Sequence, residues 1–194
     1  MGGCGDNIFI NIKKWYKFTE PELDDFKQKI FDHYRKNGFP FFKSTADQRK
    51  MWLFKLSEFD TQTLVLDNNV IKQTMIGLNL VNYFMPHMWN VKCHKFTTPM
   101  FCFNDDTMFK KAIAKRVKYG DNISDAGIRK VLSFTHGTHR VSNFRPSVAK
   151  YIFDRYSGCG DVLDFSSGFG GRLVGAIASS CVKKYTGFDP STPT

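Results

Sequence analysis

Two aspartates and the glycine-rich stretch between them have the clearest capacity for chemistry: Asp164, then Ser166-Ser167-Gly168-Phe169-Gly170-Gly171, and finally Asp189. A short apolar run leads into each acid, Asp161-Val162-Leu163-Asp164-Phe165 and Lys184-Tyr185-Thr186-Gly187-Phe188-Asp189. Between them, Gly171 to Ser180 carries Leu173, Val174 and Ile177 at helical spacing. The pattern predicts strand, glycine turn, helix and strand, a βαβ unit that calls for a parallel pair. A glycine turn there brings bare backbone close to a ligand, with the N–H groups of a helix start beside it. An acid at the end of the second strand can accept hydrogen bonds from a ribose diol, so the combination implies a nucleoside-bearing cofactor. Glycine spacing narrows the choice. The dinucleotide fingerprint needs glycine at 168, 170 and 173, but Leu173 holds the last position. A phosphate-binding P-loop needs a Gly-Lys-Ser/Thr triplet, which is absent from the sequence. The competing reading is an ordinary strand-to-helix turn that binds nothing.

Other reactive side chains are less promising. His87, Cys93, His94 and Cys102 match no zinc spacing and stand among Met and Phe, which favours packing, so no metal site is expected. His136 and His139 are candidates for a polar loop near a ligand or for plain surface groups. No acid or serine stands near them in a triad-like relation, which leaves hydrolytic chemistry without support. No catalytic residue is expected in this chain.

Asp164-Phe165-Ser166-Ser167-Gly168-Phe169-Gly170 resembles motif I, Asp-x-x-x-Gly-x-Gly, of the S-adenosylmethionine-dependent methyltransferases. Just upstream, Ser142-Asn143-Phe144-Arg145-Pro146 is similar to the Phe-x-Pro element, motif X, that amino-group DNA methyltransferases of the adenine-N6 classes place before motif I. The stretch from Ser142 to Thr194, about a quarter of the chain, looks like phage or prophage methylases of this type. The resemblance implies an α/β fold in which a helical N-terminal region leads into the first βαβ unit of a Rossmann-like methyltransferase sheet. It implies S-adenosylmethionine as cofactor and methyl transfer to a base amino group, adenine N6 of DNA, with RNA as the other polyanion. The residues it assigns to the cofactor are Phe144, Arg145, Pro146, Asp164, Phe165, Ser166, Gly168, Gly170 and Asp189. Of these, Asp164 and the glycines shape the methionine pocket and Asp189 holds the ribose, with Phe188 and Pro190 near the adenine.

One departure from the family is serious. Enzymes of these classes hold the target amine with an Asn/Asp/Ser-Pro-Pro-Tyr/Phe motif and stack its aromatic ring on the flipped base. No such tetrapeptide occurs in the sequence. The family's sheet also continues well past its second strand. The expectation is a shortened chain, a split enzyme completed by a second chain, or a degenerate descendant, inactive alone. The alternative is a non-catalytic nucleic-acid- or protein-binding subunit that offers an unfinished sheet edge to a partner. The implied setting is the cytoplasm of a bacterium or a phage-infected host cell.

The elements that must position these residues are mostly helical. Thr19 and Glu22 make a capping box with Pro21 in the first turn; Leu23, Phe26, Ile30 and Tyr34 follow at helical spacing, and Gly38 ends the run. Gly38 to Phe42 reads as extended, and Asp47 to Glu58 as a weaker helix. Leu64 to Leu66 is a short apolar segment before the turn Asp67-Asn68-Asn69. Asn69 to Phe84 is expected to be one long buried helix ending near Pro86. Asp105 or Asp106 caps a helix through Val117 with Met108, Ala112 and Val117 inward, and Asn122 or Ser124 starts another through Phe134. Pro146 to Tyr156 reads as a helix with Val148, Ala149, Ile152 and Tyr156 on its inner face, stopped by Ser157-Gly158-Cys159-Gly160. The expected division is a helical region, 1–139, and an incomplete cofactor-binding domain, 140–194.

Composition sets outer bounds. The 194 residues carry 28 Lys+Arg against 18 Asp+Glu, a net charge of +10, and are 42% hydrophobic, which is globular rather than disordered. Phe supplies 20 positions, enough for an aromatic core that needs neither metal nor disulfide. The 5 cysteines are odd in number and scattered, so a reduced protein is expected. No apolar run reaches the roughly 20 residues of a membrane span, since Asn79 and Asn82 interrupt the longest one. The start lacks the basic and apolar regions of a secretory signal, and Asp6 spoils a myristoylation match. Positive charge concentrates between Thr107 and Lys150, where only Asp121 and Asp125 oppose it. Lys110, Lys111, Lys115, Arg116, Lys118, Arg129, Lys130 and Arg140 are the candidates for contacting DNA or RNA phosphates; the bland reading is a solvated helical surface.

Overall fold

The computed structural model describes residues 18–65, 70–72, 74–119, 122–135 and 137–190. The N-terminal signal readings, the turn at Asp67-Asn68-Asn69, and His136 lie outside them. The described chain is mixed α/β and mostly helical, with a small two-stranded parallel sheet. Its helices are α1 (Glu20–Asn37), α2 (Ala46–Ser57), α3 (Leu78–Phe84), α4 (Pro99–Asn104), α5 (Asp106–Lys118), α6 (Asp125–Leu132), α7 (Pro146–Tyr156) and α8 (Gly171–Ala178). The strands are β1 (Asp161–Asp164) and β2 (Lys184–Gly187). Two compact units form, residues 1–41 with 87–141 and residues 42–86 with 142–194. The expected helical region 1–139 is therefore shared between both units. Among the described residues no helix is long and apolar enough to cross a membrane.

In the first unit the aromatic composition becomes a core. The Thr19 N–H donates to the Glu22 carboxylate at 2.7 Å, closing the expected box. One stripe of α1 then buries Phe26, Ile30, Phe31 and Tyr34 with Phe103, with Phe109 and Ile113 of α5, and with Ile128 and Leu132 of α6. The Arg35 guanidinium lies 4.7 to 5.1 Å from the Phe31, Phe103 and Phe109 ring centres and meets Asp106 at 2.7 Å. Helix α4 is an addition to the expected elements. Its signal is nevertheless local, because the Thr98 hydroxyl accepts the Phe101 N–H at 3.0 Å and Pro99 takes the first helical position.

The second unit corrects two expectations. Asn69 to Phe84 is not one helix: only Leu78–Phe84 is helical, and Val70, Ile71 and Met75 are exposed. Gly77 breaks the run with a left-handed φ of 81°, where a Cβ would stand 2.8 Å from Pro146 Cβ. Helix α7 turns a different face inward. Pro146, Ser147, Ala149 and Lys150 are buried, while Ile152 and Tyr156 are exposed. Helix α8 buries Val174, Gly175 and Ala178 and leaves Leu173 and Ile177 exposed.

A close crossing of small residues explains the two helix faces. A Cβ on Gly175 would lie 2.5 Å from Ala149 Cβ and 2.8 Å from the Pro146 carbonyl oxygen. That approach chooses the buried side of both helices more strongly than the larger apolar residues do. Lys150 tolerates burial because its ammonium pairs with Asp154 at 2.8 Å. Gly175→Ala is expected to force α7 and α8 apart and to destabilise the unit by about 1–3 kcal/mol, measured by urea denaturation.

Candidate functional site

Strands β1 and β2 pair in parallel with Val162 opposite Tyr185 and Asp164 opposite Gly187, so the expected strand, helix and return strand are present. Paired residues share a face, which places Val162, Asp164 and Tyr185 on one side of the sheet. The turn after Asp164 is held by backbone and side-chain bonds. Ser167 N–H donates to the Phe188 carbonyl at 2.9 Å, and Phe188 N–H to the Asp164 carbonyl at 2.8 Å. Gly168 and Gly170 are left-handed, with φ of 61° and 76°, and Gly170 caps α8. A Cβ at Gly168 would meet nothing closer than 3.9 Å, so the backbone is open there, whereas a Cβ at Gly170 would stand 2.9 Å from Met85 Cε.

Both acids converge on that turn. The Asp189 carboxylate accepts the Gly168 N–H at 2.8 Å. Asp164 accepts the Ser166 N–H at 3.1 Å on one oxygen. Its other oxygen takes the Arg172 Nε–H at 2.6 Å and the Tyr185 hydroxyl at 2.5 Å. Burial pushes the Asp164 carboxyl up, but the bonds from Tyr185 and Arg172 outweigh it and hold the group below its ordinary range. Burial first, and the bond to Asp164 second, raise the Tyr185 phenol above its ordinary value. Asp164 is therefore an anion whose charge is already answered by a guanidinium.

The segment resembling motif X meets the same turn. The Asn143 side-chain amide donates to the Phe169 carbonyl at 2.9 Å, and the Phe144 carbonyl abuts Gly171, leaving no space for a Cβ there. The Phe144 ring faces the Arg172 guanidinium at 5.4 Å. Pro146 takes the first position of α7 and is buried, and Arg145 donates to Met75 Sδ at 3.2 Å. Phe165 and Phe188 are exposed at 82% and 59%. Arg172, Tyr185 and Asn143 are additions to the expected site residues. Arg172 is legible in the sequence as the cation following the glycines, whereas Tyr185 depends on strand register. Gly187, bare opposite Asp164, leaves room for the Tyr185 ring: a Cβ there would stand 3.0 Å from Tyr185 Cε1 and 2.9 Å from Ser167 Cβ.

The turn and its acids offer two carboxylates, one guanidinium, exposed aromatic faces and open glycine backbone. That donor set suits a zwitterionic ligand with a ribose. Among the described residues no group of three His, Cys, Asp or Glu side chains could hold a metal ion. The far side of Phe169 and Gly170 borders an apolar groove of about 430 Å³, walled by Leu53, Phe84, Met85, Leu173 and Ile177. No carboxylate lines the groove.

The basic residues of the first unit divide sharply. Arg116 is buried, donates to the Asn122 carbonyl at 2.6 Å, and fills the space over Gly127, so it is a structural cation. Arg129 donates to the Pro40 carbonyl at 2.6 Å, and burial lowers its pKa from the ordinary value. Lys115 donates to the Phe134 carbonyl at 3.0 Å, Lys110 lies over the Phe31 ring at 4.7 Å, and Arg140 over Trp89 at 4.9 Å. Lys110, Lys111 and Lys118 on α5 and Lys130 on α6 are exposed. These four remain the candidates for phosphate contact. No family model, curated protein or solved structure matches the chain.

Proposed function

We propose that the second unit binds S-adenosylmethionine as part of a nucleic-acid methyltransferase that acts on a base amino group, adenine N6 of DNA. The observation that carries this reading is the convergence of Asp164 and Asp189 on an open, left-handed glycine turn between parallel strands. The βαβ unit would then be the first of a Rossmann-like sheet, with α8 directing its N–H groups at the ligand. Asp189 would accept the ribose hydroxyls while fixing Gly168. Asp164 and Arg172 would face the ammonium and carboxylate of the methionine end, and Phe144 would cover them. S-adenosylmethionine supplies an electrophilic methyl on a sulfonium sulfur. The residues here orient that cofactor; none is a candidate for holding the target amine, because the Pro-Pro tetrapeptide is absent. Exposed lysines of α5 and α6 would position the polyanion without reading its sequence.

A second reading has its own support. Leu163 and Phe165 on and beside β1 are exposed at 66% and 82%, and β1 pairs only with β2 among the described residues. Such a strand suits a non-catalytic subunit that completes its sheet with a partner. Calorimetric titration with S-adenosylmethionine, S-adenosylhomocysteine and NAD separates the readings. The proposal expects binding of the first two and none of NAD. Absence of all three, together with salt-sensitive retention of a DNA duplex, would favour the subunit.

A further inference from the structure

The apolar groove of the second unit has no part in the proposed cofactor site, and three helices wall it with one stripe each. Helix α2 gives Arg49, Lys50 and Leu53, α3 gives Phe84, and α8 gives Leu173 and Ile177. Its volume of about 430 Å³ falls within the range of small-molecule sites, roughly 300–1,000 Å³. Phe84, Leu173 and Ile177 are all exposed, so apolar surface that folding leaves uncovered is gathered in one concave place. Charge stands on the α2 side alone. The lining is apolar, so Arg49 and Lys50 lend it their aliphatic stems and hold their cationic heads at its edge. The Arg49 guanidinium is fixed there, donating to the Ser44 carbonyl at 2.8 Å and lying 4.4 Å from the Tyr83 ring centre. Both of these partners are neutral. Lys50 is exposed, and among the described residues no carboxylate pairs with either cation.

We propose that this groove binds a single-chain fatty carboxylate, with its alkyl chain along Leu53, Phe84, Leu173 and Ile177 and its head group paired with Arg49 and Lys50. Each half of the ligand answers one feature of the groove. Seating the chain removes apolar surface of both ligand and protein from water. The carboxylate meets two cations that the fold leaves without an acid. Arg49 uses only its Nη1 on Ser44, which leaves its other N–H donors to the ligand. A neutral chain forgoes the ion pairs, and a cationic amphiphile meets repulsion instead. A concave groove also accepts one chain at a time, which sets this ligand apart from a flat bilayer surface. Neither Asp164 nor Asp189 lines the groove, so the site stands or falls apart from the cofactor reading.

The test is calorimetric titration of the full chain with sodium dodecanoate below its micelle concentration, which is expected to saturate at one ligand per chain. Butyrate keeps the charge without the chain, and dodecyltrimethylammonium keeps the chain with the opposite charge; each should bind at least about tenfold more weakly. Lys50→Glu should weaken dodecanoate binding about tenfold, the loss of one hydrogen bond between charged groups. Ile177→Asp sets a carboxylate against the alkyl chain and should abolish binding, whereas Met51→Asp, exposed on α2 outside the groove, should leave it unchanged. Urea denaturation checks that each variant folds, and the wild-type ligand series decides by itself where one does not. Absence of saturable dodecanoate binding by the wild type would overturn the proposal. So would equal affinity for dodecyltrimethylammonium, undiminished dodecanoate binding by folded Lys50→Glu or Ile177→Asp, or retention on phosphatidylglycerol vesicles without uptake of free dodecanoate.

Discussion

If the proposed reading holds, Asp189→Ala is expected to weaken S-adenosylmethionine binding by about 100-fold, because it would remove two charge-assisted hydrogen bonds to the ribose at about 1.5 kcal/mol each. The same substitution deletes the acceptor of the Gly168 N–H, so the turn loses an internal tether as well as a ligand group. Asp189→Asn separates these roles. Its amide oxygen can still accept from Gly168, while the negative charge and one acceptor are lost, so an intermediate weakening of about tenfold is expected. Calorimetry on both variants, with urea denaturation to confirm the fold, gives the comparison. Unchanged affinity in Asp189→Ala would end the cofactor reading, since that reading assigns the ribose to Asp189 alone.

A large stability effect is expected at Asp164→Ala, about 2 kcal/mol, between the value of an exposed pair and that of a fully buried one. The substitution strands the Arg172 guanidinium and the Tyr185 hydroxyl, which both donate to the same carboxylate oxygen. A double-mutant cycle of Asp164→Ala with Tyr185→Phe should show coupling of about 1 kcal/mol, as expected for groups sharing one network. Acid should act in the same direction. The Asp164 carboxyl is held below its ordinary value, so the folded state binds its proton less readily than the unfolded state does. Its contribution is therefore fully present above about pH 4 and is lost as pH falls below that value. Denaturation midpoints of wild type and Asp164→Asn should approach one another as the pH is lowered. A gap that stays constant from neutral to acidic pH would contradict the pairing.

The basic face shows how a charge count and a structure diverge. Arg116 and Arg129 belong to the same cluster in sequence as Lys111 and Lys130. Folding turns the arginines inward, because a guanidinium can satisfy carbonyl oxygens with several fixed donors, as Arg116 does at Asn122 and Arg129 at Pro40. Net charge cannot reveal which cations are used in this way.

Local physics is legible in the sequence. The box at Thr19 and Glu22, the Asp105 and Ser124 caps, and the strand, glycine turn, helix and strand around Asp164 rest on interactions among residues close in the chain. The box and the strand order are present where spacing places them, and of the two residues open at each cap the fold uses Asp105 and Ser124. What cannot be read there depends on partners distant in the chain. Gly77 divides an apolar run because Pro146 packs against it; Gly175 turns α7 over because Ala149 must fit above it. Tyr185 reaches Asp164 only because the register sets Gly187 opposite that acid. Sequence by itself determined the candidate turn, its two acids and the elements that carry them, since caps, glycines and periodicity act within a few residues. Tertiary structure alone decided which faces are buried, which cations are left at the surface and which side chains complete the site, because those outcomes depend on what packs across from each residue.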